Sequence, residues 1–206
     1  FCLCYAAFRI GVSAGGVAII VCLQPIVVGI IAPRLVGESV SLLRWLGLAF
    51  GLLGALTVIL SRSGIQAEPL LGVLLAVGGL LGISGATLYE KRFGVTHHPV
   101  PANIIQYAVG AVFTLPLAWW GEGFQADWTI ELWGVMAYLV IGNSLVAISL
   151  LLAMIRVGEV ARVSALFYLV PPLSALSAWP LLGEAMPPLA WGGMALAGFG
   201  VVLARK

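Results

Sequence analysis

Hydrophobic residues follow one another along this chain in long runs, separated by short polar or helix-breaking segments. A bilayer core about 30 Å thick needs roughly 20 apolar residues for each helix that crosses it. Runs of this order lie at residues 14–32, 43–61, 70–89, 102–120, 132–155, 162–182 and 187–204. A shorter apolar piece at residues 1–10 is typical of the inner end of one more helix. The pattern predicts an all-α integral membrane protein, a helical bundle with seven complete spans and one partial helix.

The composition agrees with this prediction and excludes other classes of protein. Of the 206 residues, 62% are hydrophobic and 9% are charged, whereas a soluble domain is about half apolar and a quarter charged. Intrinsic disorder needs the opposite composition. The formal net charge of +2 is too small for a nucleic-acid interface. The odd number of cysteines (Cys2, Cys4 and Cys22) predicts neither a disulfide framework nor a zinc site.

The basic residues are distributed unevenly between the two predicted sides of the membrane. Crossing the lipid once per span places eight of them on one side and two, Arg9 and Arg62, on the other. Because cytoplasmic loops carry an excess of Lys and Arg, we expect a protein of the cell membrane with its C-terminus in the cytoplasm. These charges are interpreted as solvated helix ends, as is Glu90. The eight are Arg34, Arg44, Lys91, Arg92, Arg156, Arg162, Arg205 and Lys206.

Two segments of the chain share a pattern at a constant offset of 146 residues. The matched residues are Pro25, Gly37, Glu38, Trp45, Gly47 and Gly54 in the first segment and Pro171, Gly183, Glu184, Trp191, Gly193 and Gly200 in the second. The second copy contains five spans, and an odd number of crossings makes the two copies enter the membrane from opposite sides. This predicts an inverted repeat, with a partial first copy at residues 1–64 and a second copy at residues 69–206. By the same offset, about 77 further residues are expected upstream of Phe1.

The second copy resembles a known family. The run Gly158-Glu159-Val160-Ala161-Arg162-Val163-Ser164-Ala165, then Leu169-Val170-Pro171, Leu182-Gly183-Glu184 and Gly193 to Gly200, is similar to the EamA-like family of the drug/metabolite transporter superfamily. Residues 13–61 repeat that pattern. The resemblance implies ten helices in two inverted five-helix repeats, cytoplasmic termini, and export or exchange of small metabolites such as amino acids. The first repeat departs from the pattern because it lacks its first two helices and most of its third.

Prolines near the centres of two spans are candidates for the substrate pathway. Pro25, Pro171 and Pro172 each remove an amide hydrogen and strain the carbonyl four residues back. In hydrocarbon, such a carbonyl must be satisfied inside the protein or by water in a cavity. These prolines either line a central cavity as gating elements or form structural kinks that neighbouring helices satisfy.

Polar side chains inside the spans are the candidates for substrate contacts. Gln24 lies beside Pro25, and Asn143 and Ser144 lie in the middle of span 132–155. We expect these side chains to face the bundle interior, because unpartnered amides are costly in lipid. They either bind a polar substrate or form hydrogen bonds between helices. Weaker candidates are Ser84, Thr87, Gln106, Tyr107 and Tyr168.

The Gly-Glu pairs of the repeat, Gly37-Glu38 and Gly183-Glu184, precede the helices that follow them. The two glutamates either cap these helices, where a carboxylate meets the positive end of the helix dipole, or form a gate at the membrane surface. Small residues four apart at Gly47/Gly51, Gly78/Gly82 and Gly193/Ala197 predict close helix packing rather than dimerisation. A homodimer is possible, but the sequence does not indicate one.

The sequence contains no catalytic motif and no cluster of metal ligands, so we expect no enzyme, cofactor or metal. Two hypotheses remain. The first is a transporter of small metabolites with a central pathway between the two repeats. The second is an integral membrane protein that binds or scaffolds a partner without transport. A central polar cavity favours the first, and a dry, closely packed centre favours the second.

Overall fold

The computed structural model describes residues 2–63, 68–93, 99–122, 128–182 and 186–205, and these are helical apart from short turns, with no strand in these ranges. The helices are α1 (Cys2–Arg9), α2 (Ala14–Val21), α3 (Gln24–Leu35), α4 (Leu42–Ser63), α5 (Leu70–Phe93), α6 (Pro99–Glu122), α7 (Ile130–Ala137), α8 (Ile148–Val157), α9 (Val160–Ala165), α10 (Val170–Leu182) and α11 (Pro188–Ala204). A π-helix (Tyr138–Ala147) joins α7 to α8, and a 3₁₀ turn (Leu166–Leu169) joins α9 to α10.

Five stretches within the described residues are long and apolar enough to cross a membrane. They are Ala14–Leu35, Leu42–Arg62, Leu70–Phe93, Ile130–Val157 and Val160–Pro180. The other two predicted spans coincide with shorter apolar helices, Val100–Pro116 and Pro188–Ala204. An α-helix rises 1.5 Å per residue, so such helices reach the lower end of the length that a bilayer requires. The prediction of an all-α, multi-pass membrane protein is confirmed.

The chain is divided into two compact units. Unit 1 comprises Phe1–Tyr89 and Gly158–Lys206, and unit 2 comprises Glu90–Val157. Helix α5 therefore contributes residues 70–89 to unit 1 and residues 90–93 to unit 2. This division follows contacts within the fold and differs from the boundary between the two predicted repeat copies, which stays a prediction.

In unit 1, α4 and α11 pack backbone against backbone. A Cβ atom added to Gly47 would lie 2.7 Å from the Gly200 carbonyl oxygen, and one added to Gly54 would lie 2.6 Å from that of Gly193. Residues later in α4 thus meet residues earlier in α11, so the two helices run antiparallel. Small residues are required where helices approach so closely. The predicted packing role is confirmed for Gly47 and Gly193.

The other glycines of the predicted packing faces differ among themselves. A Cβ on Gly51 would overlap the ring of Tyr168, and a Cβ on Gly78 would lie 3.1 Å from Leu3 Cδ1. A Cβ on Gly82 would meet no atom within 4 Å among the described residues. The packing interpretation was therefore wrong for Gly82, because its side of α5 is open in the described structure.

Helix boundaries in unit 1 repeat with the same offset of 146 residues as the sequence motif. The paired helix starts are Ala14 and Val160, Gln24 and Val170, and Leu42 and Pro188. The α4–α11 contact shows the same offset. Gly193 lies 146 residues after Gly47, and Gly54 lies 146 residues before Gly200. Gly47 contacts Gly200, and the corresponding pair, Gly193 and Gly54, is also in contact. The motif therefore marks corresponding points of similar backbone segments.

Candidate functional site

Buried polar side chains occur in each unit. We call those of unit 1 the unit 1 polar set; they are Gln24, Ser84, Thr87, Ser164 and Tyr168. We call those of unit 2, with the side chains that contact them, the unit 2 polar cluster; they are Glu90, Asn103, Gln106, Ser149 and Arg156. The first contains no charged group, whereas the second contains one carboxylate and one guanidinium.

Gln24 occupies the first residue of α3, and its side chain is only 1% exposed. Its Nε2 atom donates to Thr87 Oγ1 at 3.4 Å, and the Thr87 hydroxyl donates to the carbonyl of Ile83 at 2.9 Å. The Gln24 Oε1 atom has no hydrogen-bond partner among the described residues. The Gln24 amide is therefore buried, and its Oε1 atom can still accept a hydrogen bond.

Three hydroxyl groups of the unit 1 polar set are also buried. Ser84, Ser164 and Tyr168 have side-chain oxygens without a hydrogen-bond partner among the described residues. The Tyr168 ring lies against Gly51, where a glycine leaves room for it. Burying a polar group unpaired costs about 1–3 kcal/mol, so these hydroxyl groups do not stabilise the bundle through hydrogen bonds among the described residues.

The prolines of the predicted pathway divide their spans rather than bending a continuous helix. Pro25 lies in the first turn of α3, two residues after the break that follows α2. Pro171 and Pro172 lie in the first turn of α10, directly after the 3₁₀ turn. A proline in a first turn interrupts no intrahelical hydrogen bond, because its amide would have no partner there. Pro25 and Pro172 are buried, and Pro171 is half-buried.

Glu38 caps a helix, but not the helix that the sequence analysis expected. Gly37, with φ of 75°, adopts the left-handed conformation that ends α3. The Glu38 carboxylate accepts a hydrogen bond from the backbone N–H of Val160, the first residue of α9, at 2.7 Å. At the start of the following helix, α4, it is Ser41 whose Oγ accepts a hydrogen bond from a first-turn amide, the Arg44 backbone N–H, at 3.4 Å. Gly183 and Glu184 lie outside the described residues.

Further ion pairs and hydrogen bonds hold the starts of helices in unit 1. Glu159, which precedes α9, forms ion pairs with Arg44 and with Arg162, the latter at 3.0 Å. At the start of α2, Glu68 Oε2 accepts a hydrogen bond from the Ser13 backbone N–H at 3.0 Å. Helices α2 and α9, which begin 146 residues apart, therefore both start beside a carboxylate from a distant part of the chain.

In unit 2, the π-helix creates a backbone acceptor that Asn103 satisfies. Ile148 donates to the carbonyl of Asn143, five residues back, and the helix then returns to α-helical bonding. Where bonding to the residue five back changes to bonding to the residue four back, one carbonyl receives no amide hydrogen. Here it is the carbonyl of Ser144, the residue after Asn143. Asn103 Nδ2 donates to the Ser144 carbonyl at 2.6 Å and to Ser149 Oγ at 3.0 Å. Asn103 is 1% exposed, and its Oδ1 has no partner among the described residues.

A buried ion pair lies at the other end of the unit 2 polar cluster. Arg156 Nε donates to Glu90 Oε1 at 2.7 Å, and Gln106 Nε2 donates to Glu90 Oε2 at 3.4 Å. Glu90 is 6% exposed, and the Arg156 side chain is 8% exposed. The expectation that Glu90 and Arg156 are solvated helix ends was therefore wrong. Their opposite charges allow both to be buried.

The remaining candidates of the sequence analysis lie at the surface of the described structure. The Asn143 side chain is exposed, and its backbone carbonyl takes part in the π-helix. Tyr107 is also exposed, and Ser144 is half-buried and contributes its backbone carbonyl. Gln106 is exposed as well, but its amide reaches the buried Glu90.

Asn103 and Arg156 are polar residues that sequence reasoning missed, as are Ser149 and Ser164. Asn103 is an amide inside the apolar run 102–120, so the argument applied to Gln106 would have identified it. No comparable signal marks Arg156, because a basic residue at a helix end has the same sequence pattern whether it faces water or a buried carboxylate. Among the residues that the structure describes, no three His, Cys, Asp or Glu side chains could hold a metal ion together.

Curated proteins with related sequences are named as transporters. The chain is 28% identical over 189 residues to the uncharacterized transporter YvbV of Bacillus subtilis. The aligned region covers 88% of this chain and 61% of that relative. It is 26% identical over 194 residues to the uncharacterized inner membrane transporter YedA of Escherichia coli K12. That aligned region covers 93% of this chain and 62% of the relative. The chain thus spans about three fifths of the length of these relatives.

The fold is also found in a solved crystal structure. That structure superposes with a TM-score of 0.85 at 20% identity and covers 98% of this chain and 70% of its own. At this identity the likeness concerns the fold alone. Residues 70–205, two thirds of the chain, match the EamA-like transporter family. The chain therefore belongs to the EamA-like transporter family.

Proposed function

We propose that the protein transports small metabolites across the cell membrane as an exporter or exchanger, with amino acids or related compounds as substrates. The observation that carries this proposal is the match of residues 70–205 to a family of transporters. The unit 1 polar set supports it, since buried hydroxyl and amide groups without partners can bind a polar solute inside an apolar bundle.

The transporter is proposed to consist of two inverted five-helix repeats, with residues 1–64 in the first and residues 69–206 in the second. The antiparallel α4–α11 contact supports this, because helices at corresponding positions of an inverted repeat run in opposite directions. The common offset of three helix starts supports it as well. The C-terminus is proposed to lie in the cytoplasm. A C-terminal reporter that is active only in the cytoplasm tests that orientation.

The substrate pathway is proposed to include Gln24 and Tyr168 of unit 1, together with the breaks at Pro25 and at Pro171 and Pro172. Thr87 lies beside Gln24 through the Gln24–Thr87 hydrogen bond, and Ser84, three residues before Thr87 on α5, shares its helix face. In unit 2, Gln106, Tyr107, Asn143 and Ser144 are the proposed contributors. Breaks beside buried polar groups are the places where backbone and side-chain groups remain available to a solute.

Transport is tested by expressing the complete reading frame in cells that accumulate labelled amino acids. We expect faster efflux than in cells with an empty vector. Gln24→Leu should slow efflux at unchanged membrane expression, because it removes the open Oε1 acceptor at similar volume. Leu53→Ile, at an exposed position of α4, is the matched control and should leave efflux unchanged. Asn143→Leu is likewise expected to slow efflux while the protein still folds.

An alternative is an integral membrane protein that binds a partner without transport, which the close backbone contact between α4 and α11 favours. The two functions give different results in reconstituted vesicles. A transporter moves labelled solute across the bilayer with no other protein present. Vesicles that contain well-folded protein and show no flux of any amino acid would support the alternative.

A further inference from the structure

Two short helices of unit 1, α2 and α9, begin at opposite ends of α4. Helix α9 begins beside Glu38, which lies before the start of α4, and helix α2 begins beside Glu68, which lies after its end. The 22 residues of α4 separate these two ends by about 33 Å. A carboxylate from a distant part of the chain therefore holds one short helix at each end of unit 1.

The inner ends of the same two helices lie in one buried part of unit 1. Cys22 directly follows α2, and Tyr168 lies in the 3₁₀ turn after α9. Both side chains belong to a single hydrophobic core cluster. They are also separated by the offset of 146 residues, so they occupy corresponding positions of the sequence pattern. Helices α2 and α9 thus each extend from a different end of unit 1 to the same buried cluster, which we call the unit 1 centre.

The contacts at the outer ends of the two helices share one chemistry. The Glu68 carboxylate accepts hydrogen bonds from the Ser13 backbone N–H, at 3.0 Å, and from the Ser13 hydroxyl. A Cβ on Gly16 would lie 2.8 Å from Glu68 Cδ, so the glycine leaves room for this approach. The Glu38 carboxylate accepts from the Val160 N–H at 2.7 Å. In each case a carboxylate meets the positive end of a helix dipole, and it can leave without breaking a bond within the helix.

The breaks at the inner ends allow each short helix to move without the helix that follows it. Helix α2 has eight residues and α9 has six, and neither continues unbroken into α3 or α10. A change from α-helical to 3₁₀ bonding within a span often marks a hinge. If the outer end of α2 or α9 is released, that helix can tilt about its break and uncover the unit 1 centre from its own end.

We infer that Glu38 and Glu68 are two latches, each of which closes one end of unit 1 over the unit 1 centre. Release of Glu38 frees the start of α9 and admits water from that end. Release of Glu68 frees the start of α2 and admits water from the opposite end. This inference rests on the proposed transport function and assigns the control of access within it to two carboxylates.

The Cys22 thiol reports the opening of either latch, because its side chain is buried while both are closed. Labelling is measured on the full chain with Cys2→Ser and Cys4→Ser, and the label that Cys22→Ser abolishes is assigned to this thiol. The probe is a sulfonated methanethiosulfonate, which does not cross the bilayer. It is added to one membrane face in intact cells and to the other face in inside-out vesicles.

The two latch variants should expose Cys22 to opposite faces of the membrane. Glu38→Ala should label about 5-fold faster than the wild type from one face, as expected when a helix start loses its side-chain acceptor, and Glu68→Ala should do so from the other face. Glu131→Ala is the matched control, since Glu131 also lies at a helix start but is exposed. It should leave both rates unchanged. If an alanine variant does not reach the membrane, Glu38→Gln and Glu68→Gln should give the same pattern with a smaller effect.

The pattern of labelling separates a latch from a contact that merely stabilises the fold. Faster labelling from both faces in either variant would show general loosening and overturn the inference. Unchanged rates, or acceleration from the same face in both variants, would overturn it as well. Because labelling needs no solute, opposite-face acceleration in a protein that transports nothing would contradict the proposed function and leave the latches in place. Efflux with unchanged labelling would overturn the latches alone.

Discussion

The two units of this protein stabilise their interiors by different means. In unit 1, α4 and α11 approach each other until the Gly47 and Gly200 backbones touch, and the ion pair of Glu159 with Arg162 lies at a helix start and is partly exposed. In unit 2, a carboxylate and a guanidinium are buried together, and Asn103 satisfies a carbonyl that the π-helix leaves open. The closest helix contact of unit 1 is therefore between backbones, whereas the interior of unit 2 contains a buried ion pair.

The difference indicates where each unit can change. Backbone contacts between small residues consist of many weak attractions that require a fixed separation. An ion pair or an amide contact can instead exchange one partner for another of the same chemistry. The π-helix points in the same direction, since such segments occur frequently at functional sites. The polar contacts of unit 2 can therefore be exchanged more readily than the backbone contact of unit 1.

The largest effect is expected when one member of the unit 2 ion pair loses its charge. Glu90→Gln leaves Arg156 buried without a counter-charge and should lower the free energy of unfolding by about 3–5 kcal/mol. Denaturant unfolding followed by tryptophan fluorescence measures it. The unit 1 counterpart, Glu159→Gln, should cost less than about 1 kcal/mol, because its ion pairs are partly exposed. Equal losses in both variants would contradict the distinction between the units.

Breaking the backbone contact of unit 1 should have the next largest effect. Gly200→Leu places a side chain where even a Cβ would lie 2.7 Å from the Gly47 carbonyl oxygen. We expect a loss of about 3 kcal/mol, since α4 and α11 must separate to admit it. Gly198→Leu is the matched control on the same helix, because a Cβ there meets no described atom within 4 Å. Leu has a higher helix propensity than Gly, so propensity cannot cause a loss in either variant. A similar loss in both variants would therefore contradict the assignment of the effect to the α4–α11 contact.

The fold of unit 1 was largely predictable because local signals in its sequence agree with one another. Apolar length predicted the spans, and Pro25 and Pro171 correctly located the interruptions within them. The small residues Gly47 and Gly193 predicted where helices approach closely. Each of these signals is local: it depends on what one residue does to its own backbone or to the space beside it.

The polar contacts were less predictable because they depend on residues far apart in the chain. Glu38 and Val160 are separated by 122 residues, and Glu90 and Arg156 by 66. The sequence shows that Glu38 follows a helix-ending glycine, but not which helix start the fold brings to it. Burial of Glu90 likewise depends on a partner that its neighbours in sequence do not reveal, since the adjacent Lys91 favoured a solvated helix end.

A smaller effect tests the amide contact that supports the π-helix. Asn103→Leu leaves the Ser144 carbonyl without its side-chain donor and should lower the free energy of unfolding by about 2 kcal/mol. Asn143→Leu is the matched control, because the Asn143 side chain is exposed in the same unit. The control should change stability little. If Asn143→Leu destabilised the protein as much as Asn103→Leu does, the contact would not be what holds the π-helix.

The smallest effect is expected at the helix start that Glu38 caps. Glu38→Gln keeps an oxygen that can accept from the Val160 N–H but removes the negative charge beside the α9 N-terminus, so the loss should be about 0.5–1 kcal/mol. Hydrogen exchange resolves so small a change, because faster exchange should be confined to the first turn of α9. Glu159→Gln removes a carboxylate one residue from Val160 without removing this hydrogen bond. Faster Val160 exchange in Glu38→Gln than in Glu159→Gln identifies the Glu38–Val160 hydrogen bond as the contact that fixes the start of α9. The reverse order would assign that role to the ion pairs of Glu159.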